Sequence, residues 1–295
     1  MRLGIKTGGM SVLSTMPSRT SAFMLGLTLA FAVSSAPPAA RAADAEAVTV
    51  DTTFKVFTPP VRLDKPARTA RASVILMEGG NGLLSLDASG TVINGGNFLI
   101  RSADLFLRNG LNVMMPDAAP AHPAGIGVGY RLSAAHAAEL QGFINAAMTR
   151  WGKPVWVVGT SDGSISTLTA GGFQPALAGL RGMILTSPVT VVPFADQATF
   201  SLYASRITLP ALVVWHRDDH CSFSPPTGSA ILFTVIPSAG KAQRTFEHGH
   251  SVAADPCGPF SEHGYAGIEE EVVEKIAEFI RGEERDRSSV GVAGP

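Results

Sequence analysis

Apolar residues along this chain fall into two spacings. Short continuous runs, Ala72–Met77, Leu111–Pro116, Val155–Val158, Met183–Ser187 and Ala211–Trp215, each stop at glycine, proline or polar residues. Unbroken apolar runs of this length predict strands buried on both faces, as in a parallel sheet. Between them the apolar positions recur at helical spacing. Phe98-Leu99-Ile100 through Leu105-Phe106-Leu107 predicts a helix ending at Asn109-Gly110. Ser133 is placed to cap a helix running to about Arg150, where Gly152 and Pro154 stop it. Ile268, Val272, Val273, Ile276, Phe279 and Ile280 share one face of a final helix. Val48–Phe57 alternates and predicts an early edge strand, and Arg244-Thr245-Phe246 predicts part of the last strand. Strands that alternate with helices predict an α/β fold. Its central sheet should be mostly parallel and covered by helices on both faces, with active loops at the carboxyl ends of the strands. The chain has neither an internal repeat nor a domain-sized linker.

One of these junctions has a chemical reading. The run Val155-Trp156-Val157-Val158 ends in Gly159-Thr160-Ser161-Asp162-Gly163, followed by Ser164-Ile165-Ser166. This is G-x-S-x-G between a strand and small, apolar residues able to continue as a helix. The letters alone are weak, and an ordinary Gly/Ser-rich loop would also fit them. The spacing makes chemical sense because a nucleophilic serine must stand on a sharp turn, with glycines either side leaving room for strand and helix. The first helical amides then point back toward the serine.

Composition and charge narrow the class. With 295 residues, 45% hydrophobic and a formal net charge of −1, the chain suits one α/β domain and leaves no electrostatic footprint for nucleic acid. Arg2, Lys6 and Arg19 precede the apolar run Ala22–Val33, and small residues follow to Ala40-Arg41-Ala42. This predicts a signal peptide over residues 1–42, with an uncleaved anchor as the alternative, and hence an exported protein, periplasmic or extracellular. A domain over 43–283 and a disordered tail over 284–295 complete the expected organisation, with no stable membrane anchor once the signal is cut. The two cysteines, Cys221 and Cys257, suit a disulfide in an exported chain, the alternative being two free thiols.

A serine needs a base to take its proton, and the base needs an acid to fix its tautomer. On this architecture the order should be serine, acid, histidine. The strand Ala211–Trp215 runs into His216-Arg217-Asp218-Asp219-His220-Cys221, and His263 stands in Ser261-Glu262-His263-Gly264-Tyr265 just before the final helix. With these residues the chain resembles the α/β-hydrolases, and more narrowly the small secreted bacterial ones, over essentially the whole mature length. The matching stretches are the loop Glu78-Gly79-Gly80-Asn81-Gly82, the elbow 159–163, His216 to Cys221, and Asp255-Pro256-Cys257 through His263-Gly264. The resemblance implies a serine hydrolase with no cofactor and no metal, acting on a small-molecule carboxylic ester or related acyl compound. Ser161 would be its nucleophile, Asp219 rather than Asp218 its acid, and His263 its base, with His248 and His250 as competitors for that role.

The oxyanion hole would use the N–H of Asp162 and a second amide from Gly80 or Asn81. A Cys221–Cys257 disulfide would tie the acid loop to the histidine loop and contribute on the order of 2–4 kcal/mol. Two residues depart from the family pattern. The glycine-rich loop begins with Glu78 where histidine is common, and the residue after the nucleophile is the acidic Asp162. The Asp162 carboxylate should point away from the oxyanion or be paired. Both carboxylates read as hydrogen-bonded structural groups, and the sharper expectation is that they disfavour anionic substrates. Arg131 and His136 read as capping or salt-bridged residues rather than substrate contacts. Peptidase or lactonase activity on the same triad is the nearest alternative. A metal-dependent hydrolase built on His216, Asp218, Asp219 and His220, with His248 and His250, is a further alternative. A non-catalytic binding protein is another, although no triad member is missing. The short segment 188–210 leaves room for only a small lid.

Overall fold

The computed structural model describes residues 46–49, 60–63, 70–87 and 91–290. The expected signal segment and residues 50–57 of the early strand lie outside them. The strands are β1 (Glu46–Thr49), β2 (Pro60–Leu63), β3 (Ala72–Met77), β4 (Leu111–Pro116), β5 (Val155–Thr160), β6 (Leu180–Thr186), β7 (Ala211–His216) and β8 (Lys241–Phe246). They form one sheet in the order β1-β2-β4-β3-β5-β6-β7-β8. β1 and β2 run antiparallel at one edge, and β3 to β8 are parallel. The helices are α1 (Phe98–Arg101), α2 (Ala103–Arg108), α3 (Val128–Arg131), α4 (Ala134–Trp151), α5 (Gly163–Gly172), α6 (Phe194–Ala204), α7 (Pro226–Val235) and α8 (Glu269–Val290).

Alternation along β3 shows why the central strands are apolar throughout. Val74 and Leu76 pack with α1, α2 and α8 through Phe98, Phe106, Val272 and Ile276, whereas Ile75 and Met77 pack with α4 through Leu140, Phe143 and Ile144. Each face of the sheet is therefore a core, and both sets of side chains leave water. β3 lies between β4 and β5, so the chain winds outward in opposite directions from it. The loops after β3 and β5 open at that switch point, where ligands of open α/β sheets bind.

The helix predicted from Ser133 is α4, with the Ser133 hydroxyl accepting the His136 N–H and Gly152 closing the other end in the left-handed region at φ 59°. The helix predicted over 98–107 is instead two short ones meeting at the buried Ser102. The segment 188–210 carries α6. α7 escapes the periodicity argument because it lacks a polar face, and Ile231 and Val235 are exposed on it. α8 corrects the expectation of a disordered tail from 284. It continues through Gly282 to Val290, because Glu284 accepts a hydrogen bond from the Trp156 indole (Nε1 to Oε1, 3.1 Å) and anchors this turn on the sheet.

Trp156 is fully buried. Glu284→Ala should leave its indole N–H without that acceptor and lower stability by about 1–2 kcal/mol, read as a lower urea midpoint at unchanged m-value.

Candidate active site

Ser161 follows β5 with φ 52°, in the left-handed region that a side-chain-bearing residue enters at a cost. Three glycines make this turn possible. A Cβ on Gly159 would meet the Gly163 carbonyl oxygen at 2.1 Å, one on Gly163 would meet the Met77 carbonyl oxygen at 2.0 Å, and one on Gly79 would meet Ser161 Cβ at 2.9 Å. Thus α5 packs directly on the end of β3, and the loop after β3 lies against the serine.

His263 and Asp219 arrive from far along the chain. Asp219 follows β7 and is buried; its Oδ1 accepts the Cys221 N–H at 2.9 Å and its Oδ2 lies 2.8 Å from His263 Nδ1. This contact leaves His263 Nε2, buried and without a hydrogen-bond partner among the described residues, as the ring nitrogen not engaged by Asp219. Ser161 lines the same cleft, of about 210 Å³, with Glu78, Gly79, Gly80, Asn81, Asn97 and His263. Serine and imidazole are not hydrogen-bonded, as is common before a substrate closes the geometry.

The histidine loop is clamped at several points that the sequence reading missed. The Ser187 hydroxyl donates to the His263 carbonyl at 2.8 Å. The buried Tyr265 hydroxyl accepts the Ser187 N–H and donates to the Val214 carbonyl. Arg101 donates to the Gly264 carbonyl at 2.7 Å and pairs with Glu269 at 2.9 Å. The expected disulfide Cys221–Cys257 is present, 36 residues apart in sequence, and joins the acid and histidine loops. A crosslink of that span is worth roughly 3–4 kcal/mol by loop closure. Only the cysteines advertised themselves, because the other clamps depend on residues distant in sequence.

The other histidines near the acid have different partners. His216 Nδ1 accepts the Asp218 N–H and its Nε2 faces the His248 carbonyl, while His248 pairs with Glu271 at 2.8 Å on the surface. Neither His248 nor His250 lines the cleft. The donors proposed for a metal do not converge: no group of three or more His, Cys, Asp or Glu side chains able to hold an ion occurs among the described residues.

Both unexpected carboxyls sit at the site. Burial raises the Asp162 pKa, against the opposing charges of Arg131 and His263 and the nearby backbone N–H groups of Gly80 and of Asp162 itself. The carboxyl thus lies near two of the amides expected to hold an oxyanion. Glu78 lines the cleft, its Oε2 is buried without a hydrogen-bond partner among the described residues, and burial pushes its pKa up to about 8 despite Arg131. Near neutrality it is largely a neutral acid. Arg131 and His136, expected as caps or ion pairs, are both buried inside the protein. His136 pairs with Glu139 at 3.0 Å, whereas Arg131 holds carbonyl groups of the loop after β3.

The folded protein holds the Glu78 proton that the unfolded chain, at the ordinary value of 4.5, releases. This contribution is complete below that value and is lost as pH rises through about 8. The thermal midpoint of the wild type should therefore fall relative to that of Glu78→Gln between about pH 5 and about pH 9; parallel profiles would contradict the assignment.

No family model and no curated protein matches the sequence, but solved structures match the fold. An esterase from Pyrococcus furiosus superposes with a TM-score of 0.56 at 13% identity, over 80% of this chain and 91% of the other. A soluble variant of monoglyceride lipase from Saccharomyces cerevisiae gives 0.53 at 12%, over 80% and 96%. An alpha-beta serine hydrolase homologue from Coxiella burnetii gives 0.54 at 14%, over 78% and 96%. Together with the parallel sheet and its strand order, these likenesses establish that this chain has the α/β-hydrolase fold.

Proposed function

We propose that the protein is a serine hydrolase that cleaves a carboxylic ester or related acyl bond through an acyl-enzyme, without a cofactor. The observation that carries this reading is the pairing of a strained Ser161 with a buried His263–Asp219 couple on one cleft. Asp219 accepts the Nδ1 proton of His263, so Nε2 is free to accept the proton of Ser161. Ser161 Oγ then attacks the carbonyl carbon, and the tetrahedral oxyanion is held by the N–H groups of Asp162 and of Gly80 or Asn81. Collapse expels the alcohol, which takes its proton from His263. Water, deprotonated by the same ring, releases the acid and restores Ser161.

The structural neighbours named as an esterase and a monoglyceride lipase favour an ester over a peptide as substrate. The predicted signal segment and the disulfide favour export to an oxidising compartment.

A fluorophosphonate probe followed by peptide mapping tests the nucleophile. Ser161 should be labelled in the wild type, label should vanish in Ser161→Ala, and labelling should slow by roughly 10³-fold or more in His263→Ala. An unlabelled Ser161 in folded, disulfide-intact protein would overturn the reading. A second expectation concerns Asp162, whose carboxyl lies near the amides that would hold the substrate oxyanion and would oppose the charge building there. Asp162→Asn should speed turnover of a neutral ester by roughly 3–10-fold, a barrier change of about 1 kcal/mol, and narrow the rate gap between neutral and acidic esters. Equal cleavage of both esters by the wild type would sink the idea that the Asp162 carboxyl excludes anions.

A further inference from the structure

Arg131 closes α3 and is 1% exposed. Burying a guanidinium is costly, and among the described residues this one makes no ion pair; the Asp162 carboxyl acts on its charge only at longer range. Its hydrogen bonds go elsewhere. Nη1 donates to the Ser166 hydroxyl at 2.7 Å, and Nη2 donates to the carbonyls of Glu78 at 3.3 Å and Gly80 at 3.1 Å. A Cβ on Gly82 would lie 3.0 Å from Nη2, so the loop is cut away to admit the fork. The carbonyl between these two, that of Gly79, accepts the Gly82 N–H. Three successive carbonyls of the loop after β3 thus each have a hydrogen-bond donor, two of them from Arg131. In a trans peptide the N–H points opposite to the carbonyl. Fixing the Glu78 and Gly80 carbonyls therefore fixes the direction of the Gly79 and Asn81 N–H groups, and both residues line the cleft with Ser161.

The fork is itself aimed. Ser166 Oγ lies 2.8 Å from His136 Nε2, and His136 Nδ1 lies 3.0 Å from Glu139 Oε2. Burial lowers the His136 pKa, so the ring is neutral, with its one proton on Nδ1 toward the carboxylate. Nε2 then accepts the Ser166 O–H, and the Ser166 oxygen is left to accept from Arg131. Tyr130 completes the chain with a hydrogen bond to Glu139 Oε1 at 2.9 Å. The spacing is that of a catalytic serine–histidine–acid triad, but Ser166 and His136 are buried and neither lines the cleft. The chain orients a cation rather than activating a nucleophile. Ser166 stands on α5, the helix that the Ser161 turn opens, so the fork spans the two elements that must be in register for an oxyanion to be held.

We propose that Arg131, aimed by Ser166, His136 and Glu139, is a positioning residue that sets the amides of the 79–81 loop against Ser161; this inference rests on the ester-hydrolase reading above. The test compares Arg131→Lys, which keeps the charge but loses the fork, and Ser166→Ala with the wild type. It reads kcat and KM on a neutral activated ester, and inhibition by a trifluoromethyl ketone, whose adduct with serine carries an oxyanion. Activity is normalised to folded protein by circular dichroism. Both variants should lose roughly 10–100-fold in kcat with KM changed less than about 3-fold, and inhibitor affinity should weaken in step with kcat/KM. A purely structural arginine would lower the thermal midpoint and leave kcat and inhibition per folded molecule unchanged, which would overturn the proposal. If Arg131→Lys does not fold, Ser166→Ala decides alone by the same criteria. A wild type inert to esters and to fluorophosphonate would overturn the hydrolase reading and this one with it; an active wild type with unaffected variants overturns only the role of Arg131.

Discussion

The geometry of the site depends on how closely α5 approaches the end of β3. Hydrogen atoms at positions 159 and 163 are all that separates the strand–helix turn from neighbouring backbone, and any Cβ there would fall about 2 Å from a carbonyl oxygen. That closeness holds Ser161 at a positive φ and lifts its side chain out of the turn. It also brings the loop after β3 against the serine, since Gly79 faces Ser161 with no room for a methyl group. Ser161 and the amides beside it are thereby one packed unit, built from the two strands that flank the switch point of the sheet.

The other half of the site is assembled differently. Asp219 and His263 sit on loops, which position groups less firmly than strands or helices. Compensation comes from several independent clamps: the disulfide, the Ser187–Tyr265–Val214 bridge and the grip of Arg101 on Gly264. Each ties the histidine loop to a different element, so the imidazole is constrained from three sides while its Nε2 has no hydrogen-bond partner among the described residues. Such preorganisation is what a short-lived oxyanion and a proton in transit require.

Beneath both halves runs a polar layer unusual for its burial. Glu78, Arg131, His136 and Glu139 place ionisable groups inside the domain. The arrangement resolves electrostatically. Glu78 keeps its proton near neutrality, His136 stays neutral, and Arg131 keeps its charge, its pKa lowered only to about 10, with Nη1 on a hydroxyl and Nη2 on two carbonyls. Asp162 contributes a carboxyl close to the site's own amides.

Much of this was legible in the sequence because it is written in local spacing. Continuous apolar runs identified the parallel strands, since a strand buried on both faces has no polar side to show. The Ser133 cap and Gly152 stop bounded α4. G-x-S-x-G flagged the elbow because the steric demand for glycine falls on residues two positions from the serine. Chain order and resemblance pointed to Asp219 and His263, and two cysteines suggested their own pairing. What the sequence left undetermined are contacts between residues far apart along it. Continuation of α8 past Gly282 depends on an indole 128 positions away, which no window of charged residues contains. Ser187, Tyr265 and Arg101 carry no motif, and Arg131 and His136 looked like helix-end residues because their exposure, not their identity, decides what they do. Only the tertiary structure put them under the loop after β3, where burial removes water as a partner and makes carbonyls, a hydroxyl and a carboxylate the acceptors that remain.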